Sequence, residues 1–187
     1  MRKNFGVKSW LYPLPVLIIG SYDKNGIPDA MNAAWGGISA ENEVYLSLLH
    51  SHKTVENILL TKAFTVSPAT AGYAAECDYV GIESANKVPD KLEKCGLHTT
   101  KSSFVNAPLI DELPMTLECE MVSYDEETEI MVGRIINVSA EETILTDGKI
   151  DRTKLDPIAV DPVSWDYVKQ GEPVGKAFAS GKAFKKK

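Results

Sequence analysis

The sequence is poor in the residues that build metal centres and disulfide frameworks. Of its 187 residues, only three are cysteine and three are histidine. Cys77, Cys95 and Cys119 are widely spaced and form no Cys-x-x-Cys pair, which argues against a zinc knuckle and against a thioredoxin-like redox site. An odd number of thiols without a signal segment is typical of a cytoplasmic protein. We therefore expect a cytoplasmic location, free thiols and no metal site.

Long apolar runs and an excess of basic residues are also missing. The longest apolar run near the start, 16–19, is far too short to span a bilayer, and no segment has the pattern of a signal peptide. Lysine and arginine number 20 against 26 acidic residues, so the net charge is −6. An acidic protein is a poor general binder of nucleic acid. We expect neither a membrane nor a nucleic acid as partner.

Two sequence motifs of common enzyme folds are absent as well. A doubly wound nucleotide-binding fold needs a glycine-rich first turn, and many hydrolases carry a Gly-x-Ser-x-Gly elbow; the chain has neither. The pattern of apolar residues instead predicts six strands separated by turns such as Asn25-Gly26, together with three short helices. The strands are expected at 15–22, 27–35, 44–49, 63–67, 115–124 and 128–139, and the helices at 54–62, 71–80 and 88–96.

This pattern of elements favours a mainly β fold with short α insertions, arranged as an antiparallel barrel. Hydrophobic residues make up 44% of the chain and charged residues 25%, which is ordinary for a globular protein. The length fits one domain over residues 1–187. The proline-containing C-terminal tail from residue 155 is expected to be irregular, with one helical turn.

The most informative segment is 47–54, where a predicted strand ends and a predicted helix begins. Such a corner offers unpaired backbone N–H groups and the positive end of a helix dipole. Hydroxyl, imidazole and ammonium groups are added here by Ser47, Ser51, His52, Lys53 and Thr54. This combination suits an anion, above all a phosphate ester.

Two other interpretations of the same segment stay open. Ser51 or Thr54 could simply cap the helix, with His52 and Lys53 in solvent. His50 and His52, two residues apart on one strand, could instead ligate a metal, but only His98 lies elsewhere to join them.

The second informative segment contains small residues within a predicted strand. Asn32, Ala33, Ala34 and Trp35 are followed by Gly36-Gly37. Small residues in a strand mark a place where something flat or bulky approaches the backbone, and Asn32 adds an amide that can donate and accept hydrogen bonds. Close packing of another protein element, or a bulge at a barrel corner, would explain the pattern equally well.

The ordered set of motifs along the chain resembles the flavin reductase-like FMN-binding split-barrel family, and its flavoredoxin branch most closely. No single motif is highly specific, but together they follow the family's order over nearly the whole chain. The matching segments are 15–21, 25–28, 32–37, 47–54, 64–66, 90–97, 106–110, 117–119 and 171–178.

The resemblance implies a homodimeric, antiparallel split β-barrel that binds FMN without a covalent bond. By analogy, Asn32 to Trp35 would face the isoalloxazine ring, Ser47 and Leu48 would lie near the ribityl chain or the ring, and residues 51–54 would hold the phosphate. Lys91 would approach the flavin or close the site from a loop. Because the cofactor supplies the redox chemistry, no catalytic side chain is expected.

The resemblance does not identify the electron donor or acceptor. The chain departs from the family pattern at Ser67, Thr128, Arg134 and Val160. The leading hypothesis is an oxidoreductase that takes electrons from a reduced nicotinamide or a protein donor and delivers them through FMN to a flavin, a metal or a protein. The alternatives are a flavoredoxin-type electron carrier without its own small-molecule substrate, and a non-redox module that holds another phosphate ester.

Overall fold

Fourteen strands and four α-helices make up the computed structural model, which describes residues 1–185, so Lys186 and Lys187 lie outside the described residues. None of the helices within residues 1–185 has the length and apolar character needed to cross a membrane. The strands are β1 (Leu14–Pro15), β2 (Leu17–Tyr22), β3 (Pro28–Ala33), β4 (Gly36–Ala40), β5 (Glu43–Ser47), β6 (Ala63–Pro68), β7 (Thr99–Lys101), β8 (Pro108–Ile110), β9 (Met115–Asp125), β10 (Ile130–Ala140), β11 (Leu145–Thr146), β12 (Lys149–Ile150), β13 (Ile158–Val160) and β14 (Tyr167–Lys169). The helices are α1 (Lys53–Thr61), α2 (Ala74–Ile82), α3 (Lys91–Lys94) and α4 (Arg152–Leu155).

A seven-stranded antiparallel sheet in the order β3-β2-β6-β9-β10-β5-β4 forms the body of the molecule. Its two edge strands, β3 and β4, are joined by Ala34 and Trp35 alone, so their ends are at most about 11 Å apart along the chain. A Cβ atom on Gly36 would lie 2.7 Å from Leu46 of β5 and 3.2 Å from Leu17 of β2. The two ends of the sheet therefore meet at Gly36, and the sheet curls into the predicted split barrel.

Two apolar clusters stabilise the barrel from opposite sides. One fills the inside of the curled sheet and includes Ile19, Leu46 and Phe64, with Val55 and Ile58 of α1 packed against them. The other lies beneath α2 and α3 and includes Ile18 and Val80. Neighbouring residues of β2 thus face different clusters, as the alternation of side chains along a strand requires. The helices are placed on the barrel by these contacts.

Most of the predicted strands are confirmed, but the elements on either side of them differ from expectation. The Asn25-Gly26 hairpin is present: β2 pairs with β3, and Gly26 has a φ of 78°. Gly36-Gly37 does not merely interrupt a strand, since it begins β4. The helix predicted at 88–96 is reduced to the four residues of α3.

The C-terminal tail is not irregular from residue 155 onward, and that expectation was wrong. β13 pairs with β1 at the beginning of the chain and with β14, so residues 158–169 belong to a three-stranded sheet. Three-residue strands are too short to show an alternating pattern, and β13 finds its partner β1 144–146 residues away along the chain. Beyond β14, a 3-10 helix spans Ser180–Lys185.

Gly133 of β10 provides a test of barrel packing. A Cβ atom at this position would lie 2.7 Å from Cε1 of Phe64, which is fully buried. We expect Gly133→Ala to lower the free energy of unfolding by about 1–3 kcal/mol, because the Phe64 ring must move in a filled core. Urea denaturation measures this change.

Gly72→Ala is the matched control, since nothing lies within 4 Å of a Cβ atom placed there. It should change the free energy of unfolding by less than about 0.5 kcal/mol. Equal stability of the two variants would contradict the packing assigned to Gly133.

Candidate anion-binding cleft

The corner between β5 and α1 presents an uncapped helix start. His52 is the N-cap residue, with φ −72° and ψ 136°, and no side chain caps the helix. The alternative interpretation, in which Ser51 or Thr54 caps the helix, is therefore wrong. The carbonyl of His52 accepts from the N–H groups of Val55 and Glu56 at 3.0 and 3.2 Å. Within residues 1–185, no protein acceptor takes the N–H groups of Lys53 and Thr54, so both remain for a ligand.

A cleft of about 220 Å³ opens in front of this helix start. One wall is the first turn of α1, the floor is β3, and the far wall is the end of α2 with the loop that follows it. Close packing fixes the far wall, since a Cβ atom on Gly81 would lie 2.8 Å from Cβ of Asn32. Five of the predicted site residues line this cleft: Asn32, His52, Lys53, Thr54 and Lys91.

His52 brings an unsatisfied polar atom to the cleft. Its Nδ1 atom is buried and has no hydrogen-bond partner among the described residues. Burial lowers the pKa of His52 below its ordinary value, and the positive charge of Lys91 acts in the same direction, whereas Glu129 opposes both. The imidazole is thus neutral at neutral pH in the free protein. A buried ring nitrogen without a partner is costly unless a ligand supplies one.

Lys53 retains a usable positive charge. Its ammonium lies 2.6 Å from Glu56, but the Glu56 side chain is 64% exposed. Such a surface pair within one helix turn contributes little and breaks readily. Lys53 can therefore turn toward an anion at the helix start. The positive end of the helix dipole attracts an anion to the same place. Ser51 is exposed at the mouth of the corner, next to His50.

Thr54 and Lys91, by contrast, are held by Asp29. The Thr54 hydroxyl donates to Oδ2 of Asp29 at 2.6 Å, and the Lys91 ammonium lies 3.0 Å from Oδ1. All three residues are buried. In this arrangement the Thr54 hydroxyl has no proton left for a ligand, so Thr54 offers the cleft its backbone N–H.

The hairpin between β9 and β10 supports the corner from behind. Leu48 donates its N–H to the carbonyl of Glu129 at 2.9 Å and accepts the Tyr124 hydroxyl at 2.8 Å. A Glu129 side-chain oxygen accepts the N–H of His50 at 3.1 Å. The side chain of Leu48 lies in the core, so Leu48 faces the interior and not the cleft. Thr128 is exposed in the same hairpin.

Asn32 is fixed by α2 and by the C-terminal sheet. Its amide donates to the carbonyl of Cys77 at 3.0 Å and to the hydroxyl of Tyr167 at 3.3 Å. Tyr167 in turn donates to Asp78 at 2.7 Å, and burial together with this carboxylate raises the pKa of Tyr167. The amide protons of Asn32 are thus used by the fold.

The other three residues of the predicted ring-binding segment, 33–35, do not line the cleft. Ala33 is buried in the core, whereas Ala34 and Trp35 line a groove of about 520 Å³ together with the N-terminal segment. Trp35 is 52% exposed, and its carbonyl accepts the N–H of Ser47 at 2.8 Å. Strand residues advance about 3.3 Å each, so Asn32 and Ala34 lie about 7 Å apart along the chain. A ligand with an anion at one end and a flat ring at the other would fit this layout.

Three residues that support the site were not predicted from the sequence. Glu129 and Tyr124 hold the corner through backbone contacts, which leave no pattern in a sequence. Asp29 did leave a signal, because a carboxylate between Pro28 and Ala30 in a predicted strand requires a partner when that strand is buried. Among residues 1–185, no cluster of three or more metal-ligating side chains occurs.

Comparison with known proteins gives a consistent result for sequence and structure. Residues 9–154 match the family model of the flavin reductase like domain. The structure is similar to the flavoredoxin of Desulfovibrio vulgaris (Miyazaki F), with a TM-score of 0.92, 35% identity and coverage of 97% of this chain and 100% of that one. It is also similar to a flavoredoxin from Methanosarcina acetivorans, with a TM-score of 0.88, 28% identity and coverage of 98% and 100%. An FMN-binding domain of a flavin reductases-like enzyme from Shewanella baltica shares the fold, with a TM-score of 0.77, 18% identity and coverage of 87% and 88%.

Proposed function

The chain belongs to the flavin reductase like domain family, in its flavoredoxin branch, and from this premise we propose that it binds FMN and transfers electrons through it. The observation that carries the proposal is the uncapped start of α1, which faces a cleft beside the buried, unpartnered Nδ1 atom of His52. A phosphate group would supply acceptors for these donors. Bound FMN would supply the redox chemistry, and the protein would supply its position and its surroundings.

The residues of the site suit the two ends of FMN, its phosphate and its ring system. The backbone N–H groups of Lys53 and Thr54, the His52 ring and the Lys53 ammonium would hold the phosphate, with Ser51 at the rim. The backbone near Ala34 and the exposed Trp35 would lie beside the ring system. Ser47 would act through its backbone, because its N–H group fixes Trp35 at 2.8 Å. No side chain of the cleft is assigned a catalytic role.

The electron partners follow from the two kinds of protein that the chain resembles. As an oxidoreductase it would accept electrons from a reduced nicotinamide or a protein donor and deliver them to a flavin, a metal or a protein. As a flavoredoxin-type carrier it would exchange electrons only with other redox proteins. Similarity to two flavoredoxins over 97–98% of the chain favours the carrier, while the family name favours the reductase.

The location is proposed to be the cytoplasm. The three cysteines are free thiols, two of them buried. Burial raises the pKa of Cys77 and of Cys119 to about 12, so both stay protonated at neutral pH. Unreactive free thiols are compatible with a reducing compartment.

We further propose that two copies of the chain form a homodimer. Val174, Phe178 and Phe184 are 88–104% exposed, and Trp35 is half-exposed in an apolar groove with Trp10 and Leu11. These aromatic and aliphatic side chains offer on the order of 600 Å² of apolar surface per copy, against the ~800 Å² per partner of a standard interface. Residues 171–187 carry five lysines and one glutamate, a charge of +4 that leaves −10 on the rest of the chain. This difference favours contact of the C-terminal segment of one copy with the acidic body of the other, and the apolar side chains of the groove would receive its phenylalanines.

Replacing His52 and Lys53 at the helix start tests the phosphate site. His52→Ala combined with Lys53→Ala should weaken FMN binding by about 1–3 kcal/mol, since charge-assisted hydrogen bonds to the phosphate are lost. Quenching of flavin fluorescence during titration gives the dissociation constant. His98→Ala with Lys94→Ala removes the same residue types from exposed positions and should leave the affinity unchanged. Failure of the wild-type protein to bind FMN would refute the proposed cofactor.

A steady-state assay separates the reductase from the carrier. The FMN-loaded protein is mixed with NADH or NADPH and an excess of free flavin, and absorbance at the nicotinamide band is followed. We expect slow nicotinamide oxidation together with rapid reduction by a protein donor such as a ferredoxin, because the chain is similar to a flavoredoxin over 97% of its length. Rapid nicotinamide oxidation without a protein donor would assign the reductase function instead.

Light scattering tests the dimer. The wild-type chain should have twice the mass of the 20.5 kDa protomer. Val174→Ser with Phe178→Ser should shift it toward the monomer, because the C-terminal segment loses its apolar contacts. Leu60→Ser with Ile82→Ser removes two other exposed apolar side chains, from α1 and α2, and should stay dimeric. A monomeric wild-type protein, or a dimeric C-terminal variant, would contradict the proposed contact.

A further inference from the structure

Asp29 of β3 joins two elements that face each other across the cleft. Its carboxylate is 3% exposed and accepts the Thr54 hydroxyl from the first turn of α1 at 2.6 Å. The other oxygen of the same carboxylate lies 3.0 Å from the ammonium of Lys91 in α3. One buried carboxylate therefore connects the anion-binding wall of the cleft to α3.

Lys91 extends this connection to the far wall. Lys91 is only 2% exposed. Its ammonium also donates to the carbonyls of Val80 at 3.1 Å and of Glu83 at 2.9 Å. These carbonyls belong to the C-terminal end of α2, where backbone acceptors lack intrahelical partners and a positive charge is favourable. Two protons of the ammonium are thus donated to backbone carbonyls, and Oδ1 of Asp29 balances its charge at 3.0 Å without accepting a hydrogen bond from it. The positive charge of Lys91 is therefore paired inside the protein.

We propose that Asp29 and Lys91 are positioning residues that set the separation of the two cleft walls, and that Lys91 acts on the bound anion only through Asp29. The inference rests on the proposed flavin site. The Asp29–Lys91 pair keeps the end of α2 at a fixed distance from the first turn of α1, so the N–H groups of Lys53 and Thr54 and the ring of His52 converge on one point. This indirect role, from α3, is proposed in place of the expectation that Lys91 approaches the flavin or closes the site from a loop.

Direct and indirect roles of Lys91 predict opposite effects of one substitution. If Lys91 bound the phosphate directly, Asp29→Asn would remove a competing negative charge, release the ammonium toward the ligand and tighten FMN binding. If Asp29 positions the walls, the same substitution leaves the ammonium without its counter-charge in the interior, and the walls lose their connection. FMN binding then weakens, because part of its binding free energy is spent on ordering the cleft.

The experiment measures the dissociation constants of FMN and of riboflavin, which lacks the phosphate, for the full-length protein and its Asp29→Asn variant. We expect FMN affinity to fall about tenfold and riboflavin affinity to change by less than about twofold, because the phosphate end of the cleft is the part that Asp29 orders. A general loss of structure would weaken both ligands equally. Asp90→Asn is the matched control: it breaks an Asp–Lys pair of the same 3.0 Å length on the surface of α3 and should leave both affinities unchanged.

A second variant covers the case in which Asp29→Asn fails to fold. Asp29→Asn combined with Lys91→Met leaves no unpaired buried charge, so the fold is retained, while the connection between the walls is still broken. We expect its FMN affinity to fall as far as in the single variant, and its thermal denaturation to stay cooperative. Wild-type FMN affinity in the folded double variant, or tighter FMN binding by Asp29→Asn, would overturn the inference. Absence of FMN binding by the wild-type protein would instead refute the proposed cofactor, so the two failures are distinguishable.

Discussion

The fold depends on the two-residue connection between the edge strands of one sheet. Because only Ala34 and Trp35 separate β3 from β4, the seven-stranded sheet has to curl until its edges meet. Curling of the sheet in this way creates an enclosed apolar interior, while β3 and β4 stay at its two edges without pairing with each other. It also leaves Gly36 against both Leu17 and Leu46, where a larger side chain would separate the strands. Both openings lie next to this connection. The cleft is lined by residues of β3, which leads into the connection, and the groove of about 520 Å³ is lined by Ala34 and Trp35 themselves.

The electrostatics of the cleft are balanced by pairing its buried charges inside the protein. Lys91 is neutralised by Asp29, His52 is kept neutral by burial, and the first turn of α1 is left without a side-chain cap. The free protein therefore holds its walls with a buried ion pair and reserves backbone N–H groups for a ligand. Backbone donors at a helix start are rigid, so they require no reordering when an anion binds.

The C-terminal sheet shows how distant segments contribute to the same site. Tyr167 of β14 reaches Asn32 of β3, and β13 pairs with β1 at the other end of the chain. Val160, one of the departures from the family pattern, is buried in β13 and paired with Leu14, whereas Arg134 lies exposed on β10 opposite Glu43 of β5. The departures at Val160 and Ser67 thus lie in packed interior, and those at Thr128 and Arg134 lie on the surface. Surface positions are the ones at which a redox partner would make contact.

The sequence by itself determined the long elements and the position of the corner. The alternation in 115–124 and 128–139, the Asn25-Gly26 turn and the polar cluster at 51–54 are local features, and local features are what periodicity and turn chemistry record. Only the tertiary structure decided which groups of that corner are free. The Thr54 hydroxyl and the Lys91 ammonium are equally suited to an anion in a sequence, yet both are bound by Asp29, 25 and 62 positions away along the chain. The short strand β13 was decided in the same way, because it pairs with β1 at the other end of the chain, and β14 then pairs with β13.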